Sequence, residues 1–232
     1  MRAPIVLAVD TPNLELAIKW VRATQGLVAV YKLGLEFFLT CGSEGVRAIA
    51  GESESDIFLD LKLHDIPHTV GGATRAIASL KPKYLSVHAS GGSAMVAAAV
   101  EAAPSTFVTG VTILTSLSDG DVASIGFKSN ALESAVQLAN LAVTGGARAI
   151  VCSPLEILAI RQSVGDDITI ITPGVRPKSS LSTDDQMRTM GPREAIDRGA
   201  DLVVIGRPIT SLWSSGAAAM RERTSEICEE IL

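Results

Sequence analysis

The chain has 232 residues, length enough for one sizeable core, and a formal net charge of −5, which excludes broad nucleic-acid binding but leaves room for a few cations around one small anion. Its three cysteines, Cys41, Cys152 and Cys228, show no C-x-x-C spacing, which excludes a disulfide framework or zinc knuckle and fits a reducing cytoplasm. No apolar run reaches the roughly 20 residues of a membrane span, and Met1 to Asp10 reads as neither leader nor anchor, so a soluble, unprocessed protein without a membrane partner is expected.

Short β-branched runs recur along the chain, each followed by a segment of helical periodicity. The first, Ile5 to Asp10, ends in a carboxylate, and the second, Val28 to Gly34, carries Lys32. Asp56 to Lys62 follows and ends in Asp60 and Lys62. Tyr84 to Ala89 brings His88, Phe107 to Thr115 brings Thr115, and Ala149 to Ser153 brings Ser153. Ile168 to Pro173 leads to Arg176, and Leu202 to Gly206 leads to Arg207. Eight βα units without a break in composition predict a single (β/α)8 TIM barrel, an α/β fold with a parallel eight-stranded barrel, over 1–232. An open doubly wound sheet needs fewer strands and a Gly-rich first turn, which Asp10-Thr11-Pro12-Asn13 lacks. In a barrel the carboxyl ends of all strands converge on one face, and nearly every run ends there in a residue able to bind or react. The connections from Arg176 to Met190 and from Thr115 to about Asn130 are long enough to act as covers over that face.

The densest signal is Asp60-Leu61-Lys62-Leu63-His64-Asp65-Ile66-Pro67. Asp60 and Lys62 are two apart on a strand and share a face. Asp65 follows in the loop, and Lys32 on the neighbouring strand approaches the same spot, giving a row of two cations and two anions. Buried charges are costly unless paired, so the residues alone leave two readings open, an active site and a structural ion-pair network. Gly206-Arg207-Pro208 stands where barrels often bind phosphate, and alternatively reads as a surface Arg beside a helix-starting Pro. His64 and His68 lack the Glu and third ligand of a zinc site, so no metal is expected, and His88 reads as a structural histidine.

The segment Asp60 to Thr69, DLKLHDIPHT, resembles the signature of orotidine 5′-phosphate decarboxylases of the bacterial type. Similar segments recur in the family's order: Leu7-Ala8-Val9-Asp10, Lys32-Leu33-Gly34, Val87-His88-Ala89, Val111 to Ser116, Val151-Cys152-Ser153, Thr172 to Arg176, Asp185-Gln186 and Val204 to Pro208. One departure is His68, where bacterial members commonly have Asn. The resemblance implies decarboxylation of orotidine 5′-monophosphate to UMP without a cofactor. It makes Lys62 the cation that stabilises the C6 carbanion and the acid that protonates it, with Asp60 and Asp65 holding the ammonium and crowding the substrate carboxylate. It implies that Asp10 and Lys32 bind ribose hydroxyls, that Thr115 lies in the nucleotide site, and that Ser153 faces the pyrimidine. Gln186, Gly206 and Arg207 fall on the phosphate side, and Arg176 binds substrate. It further implies a homodimer with shared active sites, in which Asp65 and Thr69 reach the neighbouring subunit's Lys32, Asp60 and Lys62.

Three rivals make different demands on the same residues. A Schiff-base aldolase needs a neutral lysine, whereas Lys62 stands between carboxylates that favour its ammonium form. A Mg²⁺-dependent sugar-phosphate decarboxylase of similar fold needs a metal-binding carboxylate on the second strand, where this chain has Lys32. A non-catalytic nucleotide-binding module leaves the complete charged row unexplained.

Overall fold

The computed structural model describes residues 2–177 and 190–232. The strands are β1 (Ala3–Ala8), β2 (Val28–Gly34), β3 (Asp56–Leu63), β4 (Tyr84–His88), β5 (Phe107–Val111), β6 (Ala149–Val151), β7 (Thr169–Thr172) and β8 (Leu202–Ile205). They close into a barrel in chain order, every neighbouring pair parallel, with β1 completing the ring against β8. The helices are α1 (Leu14–Thr24), α2 (Leu35–Gly51), α3 (Pro67–Ala78), α4 (Ser93–Ala102), α5 (Asp119–Ser124), α6 (Ala131–Thr144), α7 (Ile157–Val164), α8 (Pro192–Asp197), α9 (Arg207–Thr210) and α10 (Ala217–Ile231). Among the described residues no helix is long and apolar enough to cross a membrane.

Strand alternation sorts the apolar residues into two layers. Ile5, Leu7, Leu33, Leu59 and Leu85 face outward and are fully buried with helix residues such as Ala17, Val46 and Ala99. Val6, Val30, Phe58, Tyr84 and Ile171 point inward and fill the barrel. The aromatic rings of this inner layer come from the amino-terminal ends of their strands. Phe58 meets Tyr84 edge-on at 5.8 Å, and Tyr84 meets Phe107 at 5.7 Å. Lys83 and Arg148 each lie 4.1 Å from the centre of the Phe107 ring. The barrel is thus floored at one end, and its open space is at the carboxyl ends of the strands.

Helix starts follow local side-chain chemistry. Asn13 accepts from the Leu16 amide at 3.0 Å to begin α1, and Asn130 accepts from the Glu133 amide at 2.9 Å to begin α6. The connection after Thr115, expected from sequence as a long loop, contains α5. Its start is a capping box in which the Ser118 hydroxyl accepts from the Asp121 amide at 3.2 Å and the Asp121 carboxylate accepts from the Ser118 amide at 2.9 Å. Several strands stop short of their expected ends: β1 at Ala8, β5 at Val111, β6 at Val151 and β8 at Ile205. Beyond those ends, Asp10, Thr115 and Gly206 line the barrel mouth.

One strand residue shows how closely helices seat on the barrel. A Cβ on Gly110 of β5 would lie 2.6 Å from the Cβ of Ala142 on α6. Gly110→Ala is expected to destabilise the fold by about 1–3 kcal/mol through overpacking. Urea unfolding checks this, since the midpoint should fall while the slope with denaturant is unchanged; an unaltered midpoint would show that α6 can retreat freely.

Candidate active site

The charged row is built by an irregularity in β3. Leu59 pairs with Leu85 of β4, yet the next pair is Leu63 with Val87, so four steps along β3 oppose two along β4. A bulge of this kind re-aims side chains and leaves backbone groups without ladder partners. Lys62, inside the bulge, has φ of +48°, a left-handed conformation uncommon for a lysine and least expected within a strand. Its amide donates to the Ser86 hydroxyl at 2.9 Å, in place of a strand partner. Simple alternation therefore predicts the right meeting of Asp60 with Lys62, but the bulge is what brings it about.

The row runs from the segment after β1 across β2 to β3. Lys62 Nζ lies 2.8 Å from Asp60 Oδ2, and Lys32 Nζ lies 3.4 Å from the same oxygen. Lys32 Nζ is also 3.1 Å from Asp10 Oδ1. The second Asp60 oxygen accepts from Ser86 Oγ at 2.8 Å. Gly34 makes room for the outer pair, since a Cβ there would stand 3.2 Å from Asp10 Oδ1 and 3.5 Å from Lys32 Nζ. Asp60 and Lys32 are nearly enclosed, their side chains 11% and 12% exposed, whereas that of Lys62 is 30% exposed and open to the cavity.

Burial works against the charge on both enclosed groups and is outweighed. Desolvation would raise the Asp60 carboxyl, but Lys32, Lys62 and the Ser86 hydroxyl together hold it below the ordinary carboxylate range. Desolvation would lower Lys32, but Asp60 and Asp10 hold its ammonium above the ordinary lysine value. His88, half-buried 5.4 Å from the His64 ring, is pushed down by burial first and then by His64 and Lys62, against an opposing pull from Asp60. It is suited to a neutral, structural role at neutral pH.

Above the row lies a cavity of about 320 Å³, within the range of small-molecule sites. Asp10, Lys32, Asp60 and Lys62 line one side. Gly206 and Arg207 line the wall at the end of β8, and Thr115 and Arg176 also border it. Apolar walls come from Phe58, Val111, Ile113 and Val151. The enclosure thus places an ammonium against apolar surface, with a guanidinium on the β8 wall. Among the described residues, no group of three or more His, Cys, Asp or Glu side chains is placed to hold a metal ion. Both Asp10 and Asp60 already have Lys32 as an ion partner.

Of the residues singled out in the sequence, eight therefore border one cavity: Asp10, Lys32, Asp60, Lys62, Thr115, Arg176, Gly206 and Arg207. Asp65 and Thr69 do not border it and are exposed on the rim after β3. Asp65 forms no ion pair with Lys62 of its own chain among the described residues; its carboxylate accepts from the Ile66 amide at 2.6 Å. Ser153 is fully buried and not part of the wall; Val151 and Cys152 stand there. The Ser153 amide donates to the Glu156 carboxylate at 2.9 Å, and its hydroxyl accepts from the Leu155 amide at 3.4 Å. Gln186 and most of the long connection after Arg176 lie outside the described residues. Ser86 was not named from the sequence, and Gly34 and Cys152, though within segments that carry the resemblance, were given no role in the site. A serine inside the apolar run Tyr84 to Ala89 was the available signal for the first.

Comparison with known proteins agrees with this geometry. The family model described as orotidine 5′-phosphate decarboxylase / HUMPS matches residues 3–221. An orotidine 5′-phosphate decarboxylase of Thermobifida fusca is 50% identical over 94% of each chain. One of Frankia casuarinae is 45% identical, covering 94% of this chain and 85% of that protein. A crystal structure of an orotidine 5′-phosphate decarboxylase from Lactobacillus acidophilus superposes with a TM-score of 0.82 at 31% identity, covering 99% of both chains.

Proposed function

This chain belongs to the orotidine 5′-phosphate decarboxylase / HUMPS family, and from that premise we propose that it converts orotidine 5′-monophosphate to UMP and CO₂ in de novo pyrimidine synthesis, without a cofactor. The observation that carries this reading is the continuous row Asp10, Lys32, Asp60, Lys62, which ends with the Lys62 ammonium presented to the cavity.

The chemistry follows from the position of charge. Breaking the bond from C6 to the carboxylate leaves its electron pair on C6 and releases CO₂. The Lys62 ammonium stabilises that developing charge where surrounding apolar walls weaken competing solvation, then gives C6 its proton. The resulting amine regains a proton from solvent after product leaves. Asp60 holds Lys62 against its own pull toward the substrate carboxylate, and its charge raises the free energy of the bound carboxylate relative to the carbanion. We assign Asp10 and Lys32 to the ribose hydroxyls, and Gly206 and Arg207 to the phosphate, whose oxygens a guanidinium matches with several donors. Thr115 and Arg176 are assigned to the nucleotide as wall residues.

The two exposed residues after β3 receive a different role. Asp65 and Thr69 act across a two-fold interface, reaching the row of a second copy in a homodimer. Support for this comes from their exposure and from the absence of any hydrogen bond or ion pair between Asp65 and Lys62 of the same chain among the described residues. Three free cysteines accord with residence in a reducing cytoplasm.

A metal-dependent reaction at this site would require Asp10 and Asp60 to exchange the Lys32 ammonium for a divalent cation. The deciding assay adds orotidylate to purified protein in excess EDTA and follows substrate absorbance together with CO₂ release. Undiminished turnover is expected. Activity that returns only with added Mg²⁺, or UMP binding without turnover, would overturn the reading.

A further inference from the structure

We propose that Ser86 is a positioning residue for the decarboxylation, a single hydroxyl that fixes both the backbone of Lys62 and the carboxylate of Asp60. This rests on the decarboxylase reading for its assay but on separate observations for its argument. Ser86 lies on β4 between Leu85 and Val87, the two residues whose partners flank the bulge in β3. It is fully buried and does not line the cavity.

The directions of its two hydrogen bonds are forced. An amide can only donate, so the Lys62 N–H gives its proton to Ser86 Oγ at 2.9 Å. An ionised carboxylate can only accept, so the Ser86 hydroxyl gives its one proton to Asp60 Oδ1 at 2.8 Å. The hydroxyl is therefore held in a chain from amide to oxygen to carboxylate, and each bond polarises the next.

Two consequences follow for the reacting groups. With Oδ1 held by Ser86, the carboxylate plane is set so that Oδ2 meets both Lys62 and Lys32. With its amide held, the left-handed Lys62 keeps a conformation that would otherwise relax toward extended backbone, carrying the ammonium away from Asp60. A strand without the bulge would satisfy this amide through its neighbour. Here the side chain takes over that task, and it does so at the residue placed to meet C6.

The test separates the hydroxyl from the space it fills. Ser86→Thr and Ser86→Val add the same methyl group at the same buried position, and only Thr keeps the oxygen. Ser86→Ala removes the oxygen without adding bulk. Orotidylate kcat and KM, UMP affinity and thermal midpoint are measured for all three and for the parent protein. The parent's turnover is read first; if it is absent, the functional reading fails, whatever the variants do. With the parent active, Ser86→Ala and Ser86→Val should lose about 100-fold in kcat with KM and UMP affinity changed less than about threefold, because a displaced reacting group costs chemistry more than binding. Ser86→Thr should recover most of the kcat lost by Ser86→Val. Equal kcat for Thr and Val, or losses shared between kcat and UMP affinity, would overturn the positioning role and leave Ser86 a packing residue.

Discussion

Lys62→Ala is expected to lower kcat by at least about four orders of magnitude while UMP still binds, since the change removes both the charge that stabilises the carbanion and the acid that protonates it. Each of those effects alone is commonly worth about a hundredfold or more. In the ground state the loss is smaller, because Asp60 Oδ2 keeps Lys32 at 3.4 Å and the hydroxyl of Ser86 still holds Oδ1. The cavity wall at Gly206 and Arg207 is also untouched. Arg207→Ala should show the opposite pattern. Losing charge-assisted hydrogen bonds to phosphate costs about 1.5–3 kcal/mol, or roughly 10- to 100-fold in KM, with the larger part of kcat retained. Steady-state kinetics with orotidylate and titration with UMP distinguish the two. If Arg207→Ala weakened a phosphate-free nucleoside analogue as much as the nucleotide, its assignment would be wrong.

The barrel was legible because its apolar runs are short, rich in β-branched residues and regularly spaced, and the side-chain alternation within them follows from covalent geometry. The site was legible for a related reason: the parallel strands all deliver their carboxyl ends to one face, so Asp10, Lys32, Asp60, Lys62 and Arg207 could be gathered without knowing the packing. What escaped depends on local backbone departures. The bulge in β3 changes register by two residues and gives Lys62 a positive φ, and no periodicity of side chains encodes that. Ser86 acquires its partners only through the bulge. Ser153 illustrates a signal that was present and unused. Ser153-Pro154-Leu155-Glu156 has the spacing of a helix-start motif, and in the structure Glu156 takes the Ser153 amide, drawing the serine into the turn before α7 and leaving Cys152 at the cavity. The placement of Asp65 is different again: the backbone sets it on an exposed rim, and its proposed contact belongs to a second copy.

That proposed contact leads to the second large effect. Lys62→Ala and Asp65→Asn, each nearly inactive as a pure protein, should regain activity when mixed under conditions that allow dimers to exchange. In a shared-site homodimer each cavity combines Lys62 from one subunit with Asp65 from the other. A mixed dimer therefore has one site carrying both defects and one site carrying neither. With equal amounts and random exchange, about half of the dimers are mixed and each holds one intact site of two, so activity approaches about a quarter of the parent's. The two variants also separate the functions physically, because Lys62 is held within its own chain by Asp60 at 2.8 Å, whereas among the described residues the Asp65 carboxylate accepts from the adjacent Ile66 amide and has no ion partner. Exchange itself is followed independently with differently tagged subunits recovered together on one affinity resin. Co-recovery with restored turnover supports the shared site. Co-recovery without it would place Asp65 at the cavity of its own chain, which would require the loop after β3 to turn inward from the exposed position it occupies.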